Sequence, residues 1–69
     1  MVEVFKTNIS NIQQSEMLTR KLSEHFPESD IYFDLQDCDN VLRVEGDDIC
    51  AEKIIGLLTA DGYHCEVLE

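Results

Sequence analysis

Residues 30–45, DIYFDLQDCDNVLRVE, carry the pattern on which the fold depends. From Asp30 to Gln36 the side chains alternate, which puts Ile31, Phe33 and Leu35 on one face and Tyr32, Asp34 and Gln36 on the other. That is the period of a half-buried strand. The polar run Asp37-Cys38-Asp39-Asn40 supplies turn chemistry. Val41–Glu45 then resumes the alternation, with Leu42 and Val44 inward and Arg43 and Glu45 outward. Two alternating runs joined by a short polar turn predict a hairpin.

Working outward, Gly46-Asp47-Asp48 predicts a turn with an aspartate N-cap. Ala51, Ile54, Ile55 and Leu58 follow as the buried stripe of a helix, closed by Gly62 at the left-handed position after its end. Residues 63–68 predict a last strand with Tyr63, Cys65 and Val67 inward and His64, Glu66 and Leu68 outward. Upstream of the hairpin, residues 2–8 predict a first strand, and either of its faces fits the interior: Val2 and Val4 compete with Phe5 and Ile9. Ser10 with Gln13 matches a capping box, so a helix is expected from about Asn11. Its apolar positions Ile12, Leu18, Leu22 and Phe26, with Ser15 between them, recur every three or four residues until Pro27 stops it.

The element order is therefore βαββαβ. A β-α-β connection crosses over right-handed, and two such units interleaved around one hairpin give an α+β, ferredoxin-like split βαβ fold. One domain spanning residues 1–69 is expected, with a four-stranded antiparallel sheet and two helices on one face. Leu22, Phe33, Leu42, Val44, Ile55 and Leu58 are expected to share the core.

At 69 residues a chain buries only about 60% of the surface that its unfolded form exposes, which leaves little room for a large catalytic cleft. Fifteen acidic against five basic residues give a net charge of −10. That field repels phosphate backbones and anionic membranes, so no nucleic acid and no membrane is expected; the charge serves solubility or, as the alternative, meets a basic protein partner. No apolar stretch approaches the ~18 residues of a membrane span, and the opening residues lack a basic signal-peptide start, so the cytoplasm is the expected location. Cys38, Cys50 and Cys65 are odd in number and form no C-x-x-C pair, which predicts reduced thiols.

Val41-Leu42-Arg43-Val44-Glu45-Gly46-Asp47 after the hairpin, and the helix end Leu58-Thr59-Ala60-Asp61-Gly62-Tyr63 before a short last strand, resemble the second half of heavy-metal-associated domains. The likeness in element order and length extends over nearly the whole chain. Metal-binding members of that family carry C-x-x-C between the first strand and the first helix, where two thiolates hold Cu(I), Zn(II) or a similar soft ion. Here the segment reads Thr7-Asn8-Ile9-Ser10-Asn11-Ile12-Gln13-Gln14. Whether the pair is matched to Asn8 and Asn11 or to Asn11 and Gln14, it consists of neutral amides. The resemblance thus implies the fold without the family's metal site.

Adjacent strand residues face opposite ways, so His64 and Cys65 do not share an ion, and Cys65 reads as a core thiol. Cys50, expected in the first turn of the second helix, gains acidity from the free amides there and loses it to Asp47, Asp48 and Glu52. Cys38 reads as an exposed turn residue between two aspartates. Asp34, Asp37, Asp39, Asp47 and Asp48 suggest oxygen ligands for a hard cation, but the calcium-loop pattern lacks its glycine, since Leu42 stands there. His25 complements the end of the first helix. No catalytic, cofactor-binding or metal residue is assigned, and no enzyme motif is present.

The sequence thus points to a non-enzymatic small interaction module that meets a protein partner through its acidic surface or an exposed sheet edge. Two alternatives stand beside it. One is a metal-handling protein binding through Cys38 or Cys50 across a dimer, and the other is a small-ligand-sensing dimeric domain. The oligomeric state is left open.

Overall fold

The computed structural model describes residues 1–36 and 40–68. Its elements are β1 (Val2–Thr7), α1 (Ile12–His25), β2 (Asp30–Asp34), β3 (Val41–Glu45), α2 (Ala51–Ala60) and β4 (Cys65–Val67). The four strands form one antiparallel sheet in the order β2-β3-β1-β4. This is the order that two interleaved βαβ units produce, with β1 and β3 central and β2 and β4 at the edges. The α+β expectation is met. The turn assigned to Asp37, Cys38 and Asp39 lies outside the described residues.

The helices cover one face of the sheet. Leu18 and Leu22 of α1 and Ile54 and Leu58 of α2 meet Phe5, Leu42, Val44 and Cys65 from the strands, together with Ile9 and Phe26. Register settles the question that sequence left open at β1: Phe5 lies opposite Leu42 and Val67, faces the helices and is 0% exposed. Val2, on the other face, is exposed. Of the six expected core residues, Leu22, Leu42, Val44 and Leu58 are fully buried, whereas Phe33 and Ile55 are only partly so. Ile54, one residue earlier in the same stripe, takes the buried place expected of Ile55.

The helix ends show how local chemistry sets the boundaries. Asn11, not Ser10, caps α1: its side-chain oxygen accepts the amides of Gln13 at 2.7 Å and Gln14 at 3.4 Å. The first helical residue, Ile12, points away from the core and is 67% exposed. Ser15 is buried, and its hydroxyl is satisfied by donating to the Ile12 carbonyl at 2.7 Å. At α2 the cap position is Cys50, which makes no side-chain cap bond, so Asp48 does not cap that helix as expected. The other end closes as anticipated. Gly62 has φ +88, its amide reaches the Thr59 carbonyl at 3.0 Å, and the Tyr63 amide reaches Leu58 at 3.0 Å. These two reversed bonds satisfy carbonyls that the last helical turn leaves unpaired.

Gly46, between β3 and α2, packs closely against Ser29, whose side chain would have to shift to admit a larger residue. A Cβ there would sit 2.5 Å from the Ser29 hydroxyl. The Lys21–Asp61 ion pair at 2.8 Å links α1 to the end of α2. Among the described residues no helix is long and apolar enough to cross a membrane.

Candidate functional site

The connection from β1 to α1, residues 7–14, is held by structural hydrogen bonds. The Asn8 side-chain oxygen accepts the His64 amide at 2.9 Å and so fastens the start of β4 to the end of β1. Asn11 spends its oxygen on the first turn of α1. Thr7 donates its hydroxyl to the Asn40 carbonyl at 2.7 Å and accepts the Ile9 amide at 3.2 Å, while Ile9 fills the core. Asn40 itself has φ +49, a left-handed conformation that asparagine tolerates better than most residues. The loop is a set of pins between strands.

The candidate ligands do not converge. Cys65 is buried on the helix-covered face. Burial foremost, and then the Glu66 carboxylate, push its thiol from 9.0 up to about 11, so it is a protonated core group at neutral pH. His64 turns the other way and sits 3.6 Å from Glu66. Cys50 is exposed and lines a cleft of about 340 Å³ with His25, Phe26, Asp47, Asp48 and Lys53. Lys53 lies over the Phe26 ring at 5.7 Å, closing part of that cleft with a cation–π contact. Among the described residues no group of three or more His, Cys, Asp or Glu side chains is placed to hold a metal ion. Cys38, Asp37 and Asp39 lie outside the described residues, while Asp34 stands on β2, away from Asp47 and Asp48.

Among the described residues, β2 borders open surfaces on both faces of the sheet. On the helix-free face Val4, Tyr32, Asp34, Val41, Arg43 and Leu68 line a depression of about 360 Å³, and Tyr32 is 62% exposed. The second surface is the outer edge of β2. There Ile31, Phe33 and Leu35 face Ile12, Glu16 and Thr19 of α1 across a groove of about 610 Å³.

The ladder fixes which backbone groups of β2 point outward. Gly46 donates to the Met1 carbonyl at 2.9 Å and Thr7 to the Asn40 carbonyl at 3.3 Å. In an antiparallel pair such bonded positions alternate, so Asn40, Leu42 and Val44 direct their backbone groups toward β1, and Val41, Arg43 and Glu45 direct theirs toward β2. The partners of those three are Asp34, Tyr32 and Asp30. The amides and carbonyls of Ile31 and Phe33 therefore point away from the sheet, over the groove. Sequence reading anticipated an exposed sheet edge but not which backbone groups would point out of it, because these depend on pairing register.

No family model, curated protein or solved structure matches the chain.

Proposed function

We propose that this chain is a non-enzymatic interaction module, built like a heavy-metal-associated domain without the metal pair, that binds a basic protein partner in the cytoplasm. The observation that carries this reading is the outer edge of β2, where outward backbone groups, a mostly apolar groove and flanking carboxylates lie together. The net charge of −10 favours a cationic partner and speeds its approach. The loop chemistry agrees with a departure from metal binding, since Asn8 and Asn11 are committed to structural bonds.

In-cell cross-linking, set beside capture without cross-linker at low and at high salt, tests the reading. The expected result is a basic protein held at low salt and released at high salt. Recovery of no protein, or of one retained regardless of salt, would contradict it.

A second reading rests on Cys50, exposed in a cleft that His25, Asp47 and Asp48 also line. In that reading two chains share a soft metal through Cys50. A chelator competition with Cu(I) and Zn(II) in reductant, read by native mass spectrometry, separates the two: the interaction module stays a metal-free monomer, and the alternative gives a metal-bridged dimer.

A further inference from the structure

Asp30-Ile31-Tyr32-Phe33-Asp34 is symmetric in character about Tyr32, and that symmetry decides what the open edge accepts. Were a second copy to add antiparallel to β2 about Tyr32, the outward groups of Ile31 would bond those of Phe33 in the other chain. Asp30 would then face Asp34 at both ends of the pairing. Like charges directly opposite one another destabilise a strand pair, so the edge rejects its own copy. The same geometry favours a strand with cations at both ends.

We infer that the β2 edge is a docking site for an extended segment of a partner protein that carries Lys or Arg at two positions four residues apart, with apolar residues second and fourth in the five-residue span. The partner's apolar residues lie opposite Phe33 and Ile31 and point into the α1 groove beside Ile12 and Thr19. Its two cations lie opposite Asp34 and Asp30 on the helix-free face, where Tyr32 stands between them. Glu16, on the α1 wall of the groove, adds a third carboxylate for the approach. Asp34 retains acceptor capacity for this: one of its oxygens takes the Gln36 amide at 3.1 Å, and a carboxylate offers about four acceptor positions. The affinity comes from backbone bonds at Ile31 and Phe33, and the selectivity from the charges and the groove.

This inference deepens the interaction-module reading and rests on it. It is tested by titrating the isotopically labelled full chain with the peptide Ser-Lys-Val-Thr-Val-Lys-Ser, blocked at both ends, and following amide signals. The expected result is saturable shifts centred on Ile31 and Phe33, with those two amides gaining protection from exchange. Replacing both lysines by glutamate should weaken binding at least ~10-fold, because like charges meet across the pair. The double variant Asp30→Lys, Asp34→Lys should reverse the preference and bind the glutamate peptide. Asp30→Asn with Asp34→Asn, the gentler change, should abolish discrimination between the peptides if the reversed variant fails to fold. Shifts centred on Val4, Val41 and Leu68, or equal affinity for both peptides, would overturn the edge site. So would no binding of the lysine peptide, and if cross-linking still recovers a basic partner, the module reading survives with its site elsewhere.

Discussion

The two edge strands of this sheet are protected in different ways. β4 is three residues long, begins where Asn8 holds the His64 amide at 2.9 Å, and ends where the Leu68 amide reaches Val4 at 2.8 Å. β2 is five residues long, carries an aspartate at each end and overlooks an apolar groove. A short strand offers too few bonds to attract any other chain, whereas charge turns away only chains of like charge. β4 is closed and β2 is selective. The difference makes the β2 side of the sheet the proposed interaction surface.

Both edges hang from the central pair, so the largest effect belongs there. Phe5→Ala should cost about 3–5 kcal/mol in a denaturant titration, a large share of the roughly 3–10 kcal/mol expected for a chain of this length. Phe33→Ala, at a residue only partly buried beside the groove, should cost less. Equal penalties would mean that β2 is packed as tightly as β1 and that its groove is not an available surface.

The closed edge has a pH signature. The Cys65 thiol has its ordinary value of 9.0 when unfolded and about 11 when folded. Between those values the unfolded chain has lost a proton that the folded chain keeps, so stability is intact below pH 9 and falls as pH rises toward 11. The loss attributable to this group is up to about 2–3 kcal/mol. A Cys65→Val variant, measured beside the parent, should show a shallower decline over that window. Native alkylation should label Cys50 quickly and Cys65 slowly, and rapid labelling of Cys65 would contradict its place under α2.

Smaller effects sharpen the contrast. Asn8→Ala removes the bond that fixes the start of β4 and should cost about 1 kcal/mol in stability, with faster amide exchange in β4 and little change in β2. Asp30→Asn with Asp34→Asn should leave the fold intact but raise the average mass in concentrated solution as copies pair through β2. A double variant that stays monomeric at every concentration would show that something other than charge guards this edge.

Much of the architecture was legible because its signals are local. The alternation over 30–36 and 41–45, Pro27 after α1, and Gly62 with its reversed hydrogen bonds each fix an element from a few neighbouring residues. What sequence left open or misassigned depends on partners distant in the chain. Val2, Val4, Phe5 and Ile9 all suit a buried place, and only the pairing of Phe5 with Leu42 and Val67 decides among them. Ile12 fits the helical period but falls at the exposed first turn, where it borders the β2 groove instead of the core. Ser10 and Asn11 are both good caps, as Asp48 is for α2, and backbone geometry placed the cap one residue later at α1 and two residues later, at Cys50, at α2. Which backbone groups of the exposed edge point outward is settled in the same way, since nothing within DIYFD states which strand will lie beside it.

The central claim is that the backbone groups of Ile31 and Phe33 face outward without a partner strand in the isolated chain. Residue-resolved amide hydrogen exchange on the free protein tests it most directly. Ile31 and Phe33 should exchange rapidly while Tyr32, paired with Arg43 across the ladder, exchanges slowly. Protection of Ile31 and Phe33 equal to that of Tyr32 would contradict the account, because it would mean that the edge is already covered.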